Sequence, residues 1–177
     1  MKFINIVGTT ASGKTTFARQ LALKLNLTHI EMDDLFWRDD WQETPDDEFF
    51  LKLQNKMDIA KDGWVLDGNY SRTLHLKLAK LDTMIWLDYS FNLNFYRSVK
   101  RAISRIITKE PLWENSNNHE SFKQSFLSKD SIILWMINHH AKNRKKYLKM
   151  MHDPQYRHIQ FIRLTSPKQA KLFLDSL

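Results

Sequence analysis

Cysteine is absent from this sequence of 177 residues. Its absence excludes disulfide bonds, cysteine-ligated zinc and thiol catalysis, and it is compatible with a reducing cytoplasm, where we expect the protein to act. Long apolar runs are absent as well, because no stretch reaches the ~18 apolar residues needed to span a membrane. The apolar run at residues 3–7 is too short for the core of a signal peptide, so we interpret it as a first β-strand.

Glycine is scarce, with four residues in the whole chain: Gly8, Gly13, Gly63 and Gly68. The first two fall within one short segment, and the other two bracket residues 64–67. Because glycine is the residue that tolerates unusual backbone geometry and close approach, its placement marks positions that need either. The sequence therefore directs attention to these two segments.

Positive charge exceeds negative, with 27 Lys and Arg against 20 Asp and Glu and a formal net charge of +7. Such an excess favours anionic partners, namely nucleotides, nucleic acid or acidic membranes, or else it aids solubility. Charge alone leaves these alternatives open. The length fits one domain with a single core, so we treat residues 1–177 as one domain.

Strands and helices are predicted to alternate along the chain. Apolar runs predict strands at residues 3–7, 28–32, 64–67, 83–88 and 158–164. Helical spacing predicts helices at 14–25, 46–61, 91–108 and 131–151, with a last helix opening at Pro167. This order implies parallel pairing and a three-layer α/β/α sandwich. Such sheets bind ligands at the carboxyl ends of their strands.

Residues 8–15 match the phosphate-loop pattern G-x-x-x-x-G-K-[ST] without deviation, between an apolar strand and an amphipathic helix. We predict that the loop binds ATP with Mg²⁺. Lys14 is expected to reach the β- and γ-phosphates, and Thr15 to offer its hydroxyl to Mg²⁺. The alternative is a Gly-Lys helix start without function. The other expected nucleotide contacts are Gly8, Thr9, Ala11, Ser12, Gly13 and Thr16.

Two apolar runs end in an aspartate that could face the metal, Asp67 and Asp88. Asp67 precedes Gly68, which permits a sharp turn and close approach of a ligand. Asp88 precedes Tyr89, Ser90 and a helix, so it is equally suited to capping. We predict Asp67 as the metal-facing carboxylate and Asp88 as structural.

Asp33 and Asp34 are predicted to end the second strand, where P-loop kinases face their acceptor. A carboxylate there accepts the proton of an acceptor hydroxyl, and Asp33 is the favoured candidate. The alternative is a helix cap or a solvated acidic pair. Trp37 is a candidate for lining the acceptor pocket, and Arg72 for gripping the acceptor.

Arg97, Arg101 and Arg105 form one stripe on the long predicted helix. Forked guanidinium hydrogen bonds suit the charge that develops during phosphoryl transfer. We predict Arg101 and Arg105 as catalytic and Arg97 as a nucleotide contact, with Arg144 a further nucleotide contact. The polar segment after the stripe, within residues 106–130, is predicted to form a helical lid. The alternative interpretation of the arginine stripe is a solvated basic face of the helix.

The chain resembles the bacterial DNA topology modulation (FlaR-like) family, itself similar to adenylate-kinase-like P-loop kinases. The matching segments are 8–16, 30–37, 63–72, 85–89, 120–122, 134–135 and 163–167. The resemblance implies a nucleotide-kinase-like fold, with a five-stranded parallel sheet in the order 2-3-1-4-5, and ATP binding. Asp67-Gly68 looks like the Asp-Gly-Phe-Pro-Arg region of adenylate kinases, but Asn69-Tyr70 replaces Phe-Pro and Arg72 comes one residue later. This departure argues against AMP as the acceptor.

Two functions follow as hypotheses. The first is a small-molecule kinase that moves the γ-phosphate of ATP to a nucleoside, a nucleotide or another small acceptor. The second is an ATP-dependent regulator that binds nucleic acid and affects DNA topology or gene expression. The kinase is favoured, because the sequence contains no helix-turn-helix signature, zinc finger or basic tail.

Overall fold

A parallel five-stranded sheet forms the centre of the protein. The computed structural model describes residues 1–108, Asn118 and residues 131–177, with the side chains of Ile132, Ile133 and Trp135 excepted. The strands are β1 (Phe3–Gly8), β2 (Thr28–Glu31), β3 (Trp64–Asp67), β4 (Thr83–Leu87) and β5 (Gln160–Leu164). They pair in the order β2-β3-β1-β4-β5, and each pairing is parallel. This order confirms the predicted P-loop fold.

The register brings several strand ends to one edge of the sheet. Asp67 of β3 lies opposite Ile6 of β1 on one side and Glu31 of β2 on the other. Gly8, the last residue of β1, lies opposite Leu87 of β4. The edge at the carboxyl ends therefore carries two carboxylates beside the start of the phosphate loop.

The helices pack on the sheet through apolar faces that the sequence sets at helical spacing. The described helices are α1 (Lys14–Leu25), α2 (Met32–Phe36), α3 (Asp46–Ile59), α4 (Leu74–Lys77), α5 (Phe91–Thr108), α6 (Ile132–His152) and α7 (Pro167–Asp175). Short 3₁₀ turns occupy Asp39–Trp41, Ser71–Thr73 and Pro154–Tyr156. In α7, Pro167 opens the helix and the Ser166 hydroxyl accepts from the Gln169 amide, which satisfies an N-terminal donor.

The core has one part on each face of the sheet, because successive residues of a strand point to opposite faces. Helices α1 and α7 cover Ile4, Ile6, Val65, Ile85 and Leu87 on one face. On the other face α3 and α6 cover a second set, which includes Ile30, Trp64, Leu66, Met84 and Trp86. This sandwiching confirms the three-layer prediction.

The second strand ends earlier than the sequence predicted. It stops at Glu31, and Asp33 and Asp34 lie in the first turn of α2 rather than at a strand end. Two physical reasons favour the helix: Met32 is fully buried, and acidic side chains stabilise a helix N-terminus. The prediction that Asp33 and Asp34 end a strand was therefore wrong.

Other boundaries differ by a few residues. Helix α3 ends at Ile59 instead of Lys61, and its C-terminal side leads into Gly63, whose backbone adopts a φ of 133°. Strand β5 begins at Gln160 instead of His158, because a 3₁₀ turn and a hydrogen bond from Ile159 to Tyr156 occupy the preceding residues. These differences leave the sheet order unchanged.

The predicted lid lies outside the described residues, apart from the end of α5 and Asn118. Asn118 is buried and joins the loop after α2: its side chain accepts from the Trp41 amide at 2.8 Å and donates to the Arg38 carbonyl at 2.9 Å. In the described part of the chain, no helix combines the length and the apolar character that crossing a bilayer requires.

Candidate active site

The phosphate loop joins β1 to the N-terminus of α1. Gly13 takes a left-handed φ of 88° and its carbonyl accepts from the Phe17 amide at 3.0 Å, so the helix starts directly after it. No side chain among the described residues caps this N-terminus, and its first turn carries no acidic residue. The uncapped amides and the helix dipole together suit this N-terminus to binding an anion.

Gly8 sits in a crowded part of the loop. A Cβ added there would lie 2.8 Å from the Ser12 hydroxyl and 2.9 Å from the Leu87 carbonyl oxygen. The Asn69 side chain brackets the same residue, because its Oδ1 accepts from the Gly8 amide at 3.0 Å and its Nδ2 donates to the Gly8 carbonyl at 2.6 Å. The loop is thus held by β4 on one side and by the segment after β3 on the other.

Two buried hydroxyl groups of the loop lack hydrogen-bond partners in the described part of the chain. Thr9 Oγ1 and Ser12 Oγ find no hydrogen-bond partner within the described part of the chain. An unmade hydrogen bond of a buried group costs about 1–3 kcal/mol. Ala11, between them, holds a left-handed φ of 57°, which a non-glycine residue adopts at a cost. This combination of orphaned hydroxyls and strained backbone fits a loop shaped to receive phosphate oxygens.

Lys14 lies at the start of α1, half-buried, with its Nζ donating to the Thr9 carbonyl at 3.1 Å. Burial lowers the pKa of Lys14, and the charges of Asp67 and Asp33 oppose that shift. The ammonium therefore lies in a field to which both predicted carboxylates contribute.

Asp67 ends β3 and is 3% exposed. Its Oδ1 is buried and has no partner among the residues that the structure describes. Burial raises the pKa of Asp67, while Lys14 and the Thr15 hydroxyl oppose the rise. A buried carboxylate oxygen beside a hydroxyl fits the preference of Mg²⁺ for oxygen ligands, so Thr15 and Asp67 are suited to hold that ion.

Asp88 has a different environment. Its Oδ2 accepts from Arg163 Nη2 at 2.6 Å, from Arg163 Nε at 2.9 Å and from Arg144 Nε at 3.3 Å. Arg144, predicted as a nucleotide contact, thus lies against Asp88, with a side chain 52% exposed. The preference for Asp67 over Asp88 at the metal stays a prediction, and this geometry is consistent with it.

Asp33 is oriented by a neighbour that the sequence analysis did not select. Tyr70 Oη donates to Asp33 Oδ1 at 2.6 Å. Burial raises the pKa of Tyr70, and the charge of Asp33 raises it further, so Tyr70 remains a protonated donor. Asp34, by contrast, is exposed. Asp33 therefore has the fixed orientation that a proton acceptor needs.

Aromatic rings cluster next to Tyr70, the hydrogen-bond donor to Asp33, whose ring centroid lies 5.0 Å from that of Phe36. Trp37 is half-buried and its ring centroid lies 4.9 Å from Phe36 and 5.6 Å from Trp41. The Arg72 guanidinium lies 4.5 Å from the centroid of the Phe36 ring, and its Nη1 is 2.7 Å from Asp46 Oδ1. Arg72 thus already carries an ion pair, which an acceptor would have to share or displace.

The arginine stripe on α5 reaches the phosphate loop. Arg101 Nη2 donates to the Thr10 hydroxyl at 2.9 Å. The Arg97 guanidinium lies 5.7 Å from the Tyr89 ring centroid, and its Nη1 is 4.0 Å from where a Cβ on Gly13 would stand. Arg105 continues the stripe one turn further along α5. The structure therefore brings Arg97 and Arg101 beside the loop.

Sequence reasoning missed three residues of this site: Glu31, Asn69 and Tyr70. Glu31 lies in register with Asp67, while Asn69 and Tyr70 hold Gly8 and Asp33 as described above. One signal was present in the sequence, since Asn69 and Tyr70 stand where adenylate kinases have Phe-Pro. The position of Glu31 depends on strand register, for which the sequence carries no local signal.

Comparisons with known proteins indicate the class of this chain. No protein-family model matches the chain. Adenylate kinase 8 of Xenopus tropicalis is 33% identical over a match that covers 47% of this chain and 21% of that protein, so this chain spans about a fifth of its relative. Shikimate kinase of Sulfurihydrogenibium sp. (strain YO3AOP1) is 27% identical over 75% of this chain and 82% of that protein.

A solved structure agrees on the fold. Shikimate kinase from Acinetobacter baumannii, in complex with shikimate, covers 99% of this chain and 90% of its own, with a TM-score of 0.55 and 15% identity. Together with the sheet order and the loop motif, these relatives define a P-loop protein of the kinase-like class. They support an enzyme of kinase type and leave the resemblance to the DNA topology modulation family a prediction.

Proposed function

We propose that this protein is an ATP- and Mg²⁺-dependent phosphotransferase that moves the γ-phosphate to a small acceptor. The observation that carries the proposal is the convergence on Lys14. The lysine starts the helix after the phosphate loop and its Nζ donates to the Thr9 carbonyl at 3.1 Å, while Asp67 ends the strand that pairs with β1, from which the loop begins. Burial lowers the pKa of Lys14, and the charges of Asp67 and Asp33 both oppose that shift. A group for the phosphates, a group for the metal and a group for the acceptor are thus neighbours.

The roles follow from the chemistry of phosphoryl transfer, in which positioning and charge stabilisation supply most of the catalysis. Lys14 and the loop amides bind the phosphate oxygens. Thr15 and Asp67 hold Mg²⁺, which neutralises charge on the phosphates. Arg101 and Arg105 stabilise the charge on the transferred group, and Arg97 of the same stripe contacts the nucleotide.

Asp33 supplies the acceptor chemistry. It accepts the proton of the acceptor hydroxyl while that oxygen bonds to the γ-phosphorus and the bond to the β–γ bridging oxygen breaks. Tyr70 keeps Asp33 oriented, and Trp37 with Arg72 forms the adjoining wall of the acceptor pocket. The shikimate kinase relatives support a hydroxyl acceptor, and the adenylate kinase relative supports a phosphate acceptor.

The proposal retains the predicted setting of one domain in the cytoplasm. Membership of the DNA topology modulation family is part of the proposal as well, while nucleic-acid binding is the alternative function. The net charge of +7 supports that alternative. The hydrogen bond from Arg101 to Thr10 supports the kinase, because it directs part of the basic stripe to the phosphate loop.

The test is release of ADP from Mg·ATP across a panel of nucleosides, nucleoside monophosphates and small hydroxyl metabolites. We expect one acceptor class to stimulate release, and Lys14→Ala to lower the stimulated rate by on the order of 10²-fold or more. Lys24→Ala is the matched control, because Lys24 is an exposed residue in the last turn of the same helix.

Either result is informative. Stimulated release that Lys14→Ala retains in full would contradict the proposed roles. Tight ATP binding without stimulation by any acceptor would favour the nucleic-acid alternative, which a DNA retardation assay over a salt series then examines, since phosphate contacts weaken steeply with salt.

A further inference from the structure

Three side chains meet at the β2–β3 edge beside the phosphate loop. The strands run in register with His29 opposite Val65 and Glu31 opposite Asp67. Because side chains of a strand alternate between faces, His29, Glu31 and Asp67 lie on the same face of the sheet. Each offers one ligand atom, and these atoms all lie within 4.8 Å of one another.

Two atoms of this cluster are buried and unsatisfied. His29 Nε2 and Asp67 Oδ1 find no hydrogen-bond partner in the described ranges 1–108 and 131–177 or at Asn118. Asp67 is the more deeply buried residue, at 3% exposure. A buried polar atom without a partner costs free energy, and here two such atoms belong to one group of ligand-type side chains.

We propose that His29, Glu31 and Asp67 form a binding site for one divalent transition-metal cation, of the class of Mn²⁺, Co²⁺ or Zn²⁺. Imidazole nitrogen suits these cations, whereas Mg²⁺ prefers oxygen ligands alone. Three protein ligands leave further coordination positions for water or a phosphate oxygen. A cation held there would share Asp67 with the proposed Mg²⁺ site of Thr15 and Asp67.

The site needs only local adjustment to close. Metal–ligand bonds of about 2.0–2.2 Å bring ligand atoms to roughly 3–4 Å of one another, so the side chains must draw in by about 1 Å. Arg19 is the competitor, because its Nη2 lies 2.9 Å from Glu31 Oε2. The Arg19 side chain is 63% exposed, so it swings into solvent without leaving a buried charge behind.

The inference is independent of catalysis. The site shares Asp67 with the proposed Mg²⁺ site, but cation binding here requires neither ATP nor an acceptor. Lys14→Ala, expected to abolish turnover, should therefore still bind the cation. If cation binding is absent while turnover is present, this proposal fails and the kinase proposal stands. If turnover is absent while cation binding is present, the reverse holds.

The experiment titrates Co²⁺ into the full-length protein without nucleotide and follows visible d–d absorption. We expect saturation at one cation per chain, with an affinity that falls by at least about tenfold in His29→Gln. His152→Gln is the matched control, because His152 is exposed and bonds within its own helix to the Leu148 carbonyl. That variant should bind as the parent does.

Glu31→Gln provides a second route if His29→Gln folds poorly, which circular dichroism establishes. It should weaken Co²⁺ binding to a similar extent while keeping the shape of the side chain. Unchanged affinity in both folded variants would overturn the proposal, as would an equal loss in His152→Gln. Displacement of Co²⁺ by equimolar Mg²⁺ would overturn the assignment to the transition-metal class.

Discussion

The carboxyl ends of β3 and β4 each carry a buried aspartate, and the two aspartates differ in their hydrogen-bond partners. Asp67 and Asp88 are both buried, at 3% and 9% exposure. Asp88 Oδ2 accepts hydrogen bonds from two arginines. Asp67 has an oxygen without a partner in the part of the chain that the structure describes, and its pKa is raised by burial. Burial alone thus does not distinguish a structural carboxylate from a functional one.

What distinguishes them is whether the protein itself compensates the charge. A buried carboxylate that is paired and hydrogen-bonded stabilises the native packing around it, whereas one left open costs stability unless a ligand supplies the partner. By this criterion we infer that Asp88 belongs to the architecture of β4 and β5, and we propose Asp67 for the chemistry of the site. Three predictions, made with the two substitutions Asp67→Asn and Asp88→Asn, test that division.

The largest effect is expected from Asp67→Asn on turnover. Removing the charge takes away the proposed metal-facing carboxylate, and kcat should fall by on the order of 10²-fold. Steady-state kinetics with saturating Mg·ATP measure the change. Asp88→Asn, assayed at a temperature where it stays folded, should lose less. Equal losses of kcat in the two variants would remove the basis of the comparison.

A second effect, on stability, should run in the reverse order. Asp88→Asn leaves Arg163 without its carboxylate partner and should lower the free energy of unfolding by about 2 kcal/mol, discounted because Arg163 is 31% exposed. Urea titration followed by circular dichroism measures this quantity. Asp67→Asn should lower it by less or raise it. The idea fails if Asp67→Asn proves the more destabilised variant.

The smallest effect is the pH dependence of stability in the presence of EDTA. The pKa of Asp67 is raised in the folded state by burial, so the folded protein holds this proton more tightly than the unfolded chain. The stabilisation is fully present below the unfolded pKa and is lost as pH rises through the folded pKa. Relative to Asp67→Asn, the parent protein should therefore lose stability as pH rises. Parallel stability curves for the two proteins would contradict this prediction.

Much of the nucleotide-binding part of the candidate site was predictable, because its sequence signals are local. The bounds of α1 and β3 agree with the sequence prediction, since the phosphate-loop motif and the apolar spacing both act over a few residues. Helix α5 agrees for the same reason. A local pattern that is repeated over several turns needs no knowledge of distant neighbours.

The part of the candidate site proposed to face the acceptor was less predictable, because its arrangement depends on contacts between residues far apart in the sequence. Helix α2 has five residues, too few to show helical periodicity, so Asp33 and Asp34 were assigned to a strand end. The bond from Tyr70 to Asp33 joins residues 37 positions apart. The approach of Glu31 to Asp67 follows from the register of β2 on β3. None of these three features has a short-range sequence signature.

Asn69 connects helix α6 to the phosphate loop through hydrogen bonds. Its side-chain amide makes with Gly8 the same two hydrogen bonds, one donated and one accepted, that a peptide group of a neighbouring strand would make. Tyr147 Oη, on α6, donates to Asn69 Oδ1 at 3.2 Å. A continuous series of hydrogen bonds therefore runs from α6 through the Asn69 side-chain amide to Gly8, the first residue of the phosphate-loop motif. Through these bonds the segment after β3 and helix α6 are coupled to the backbone that we propose binds the phosphates.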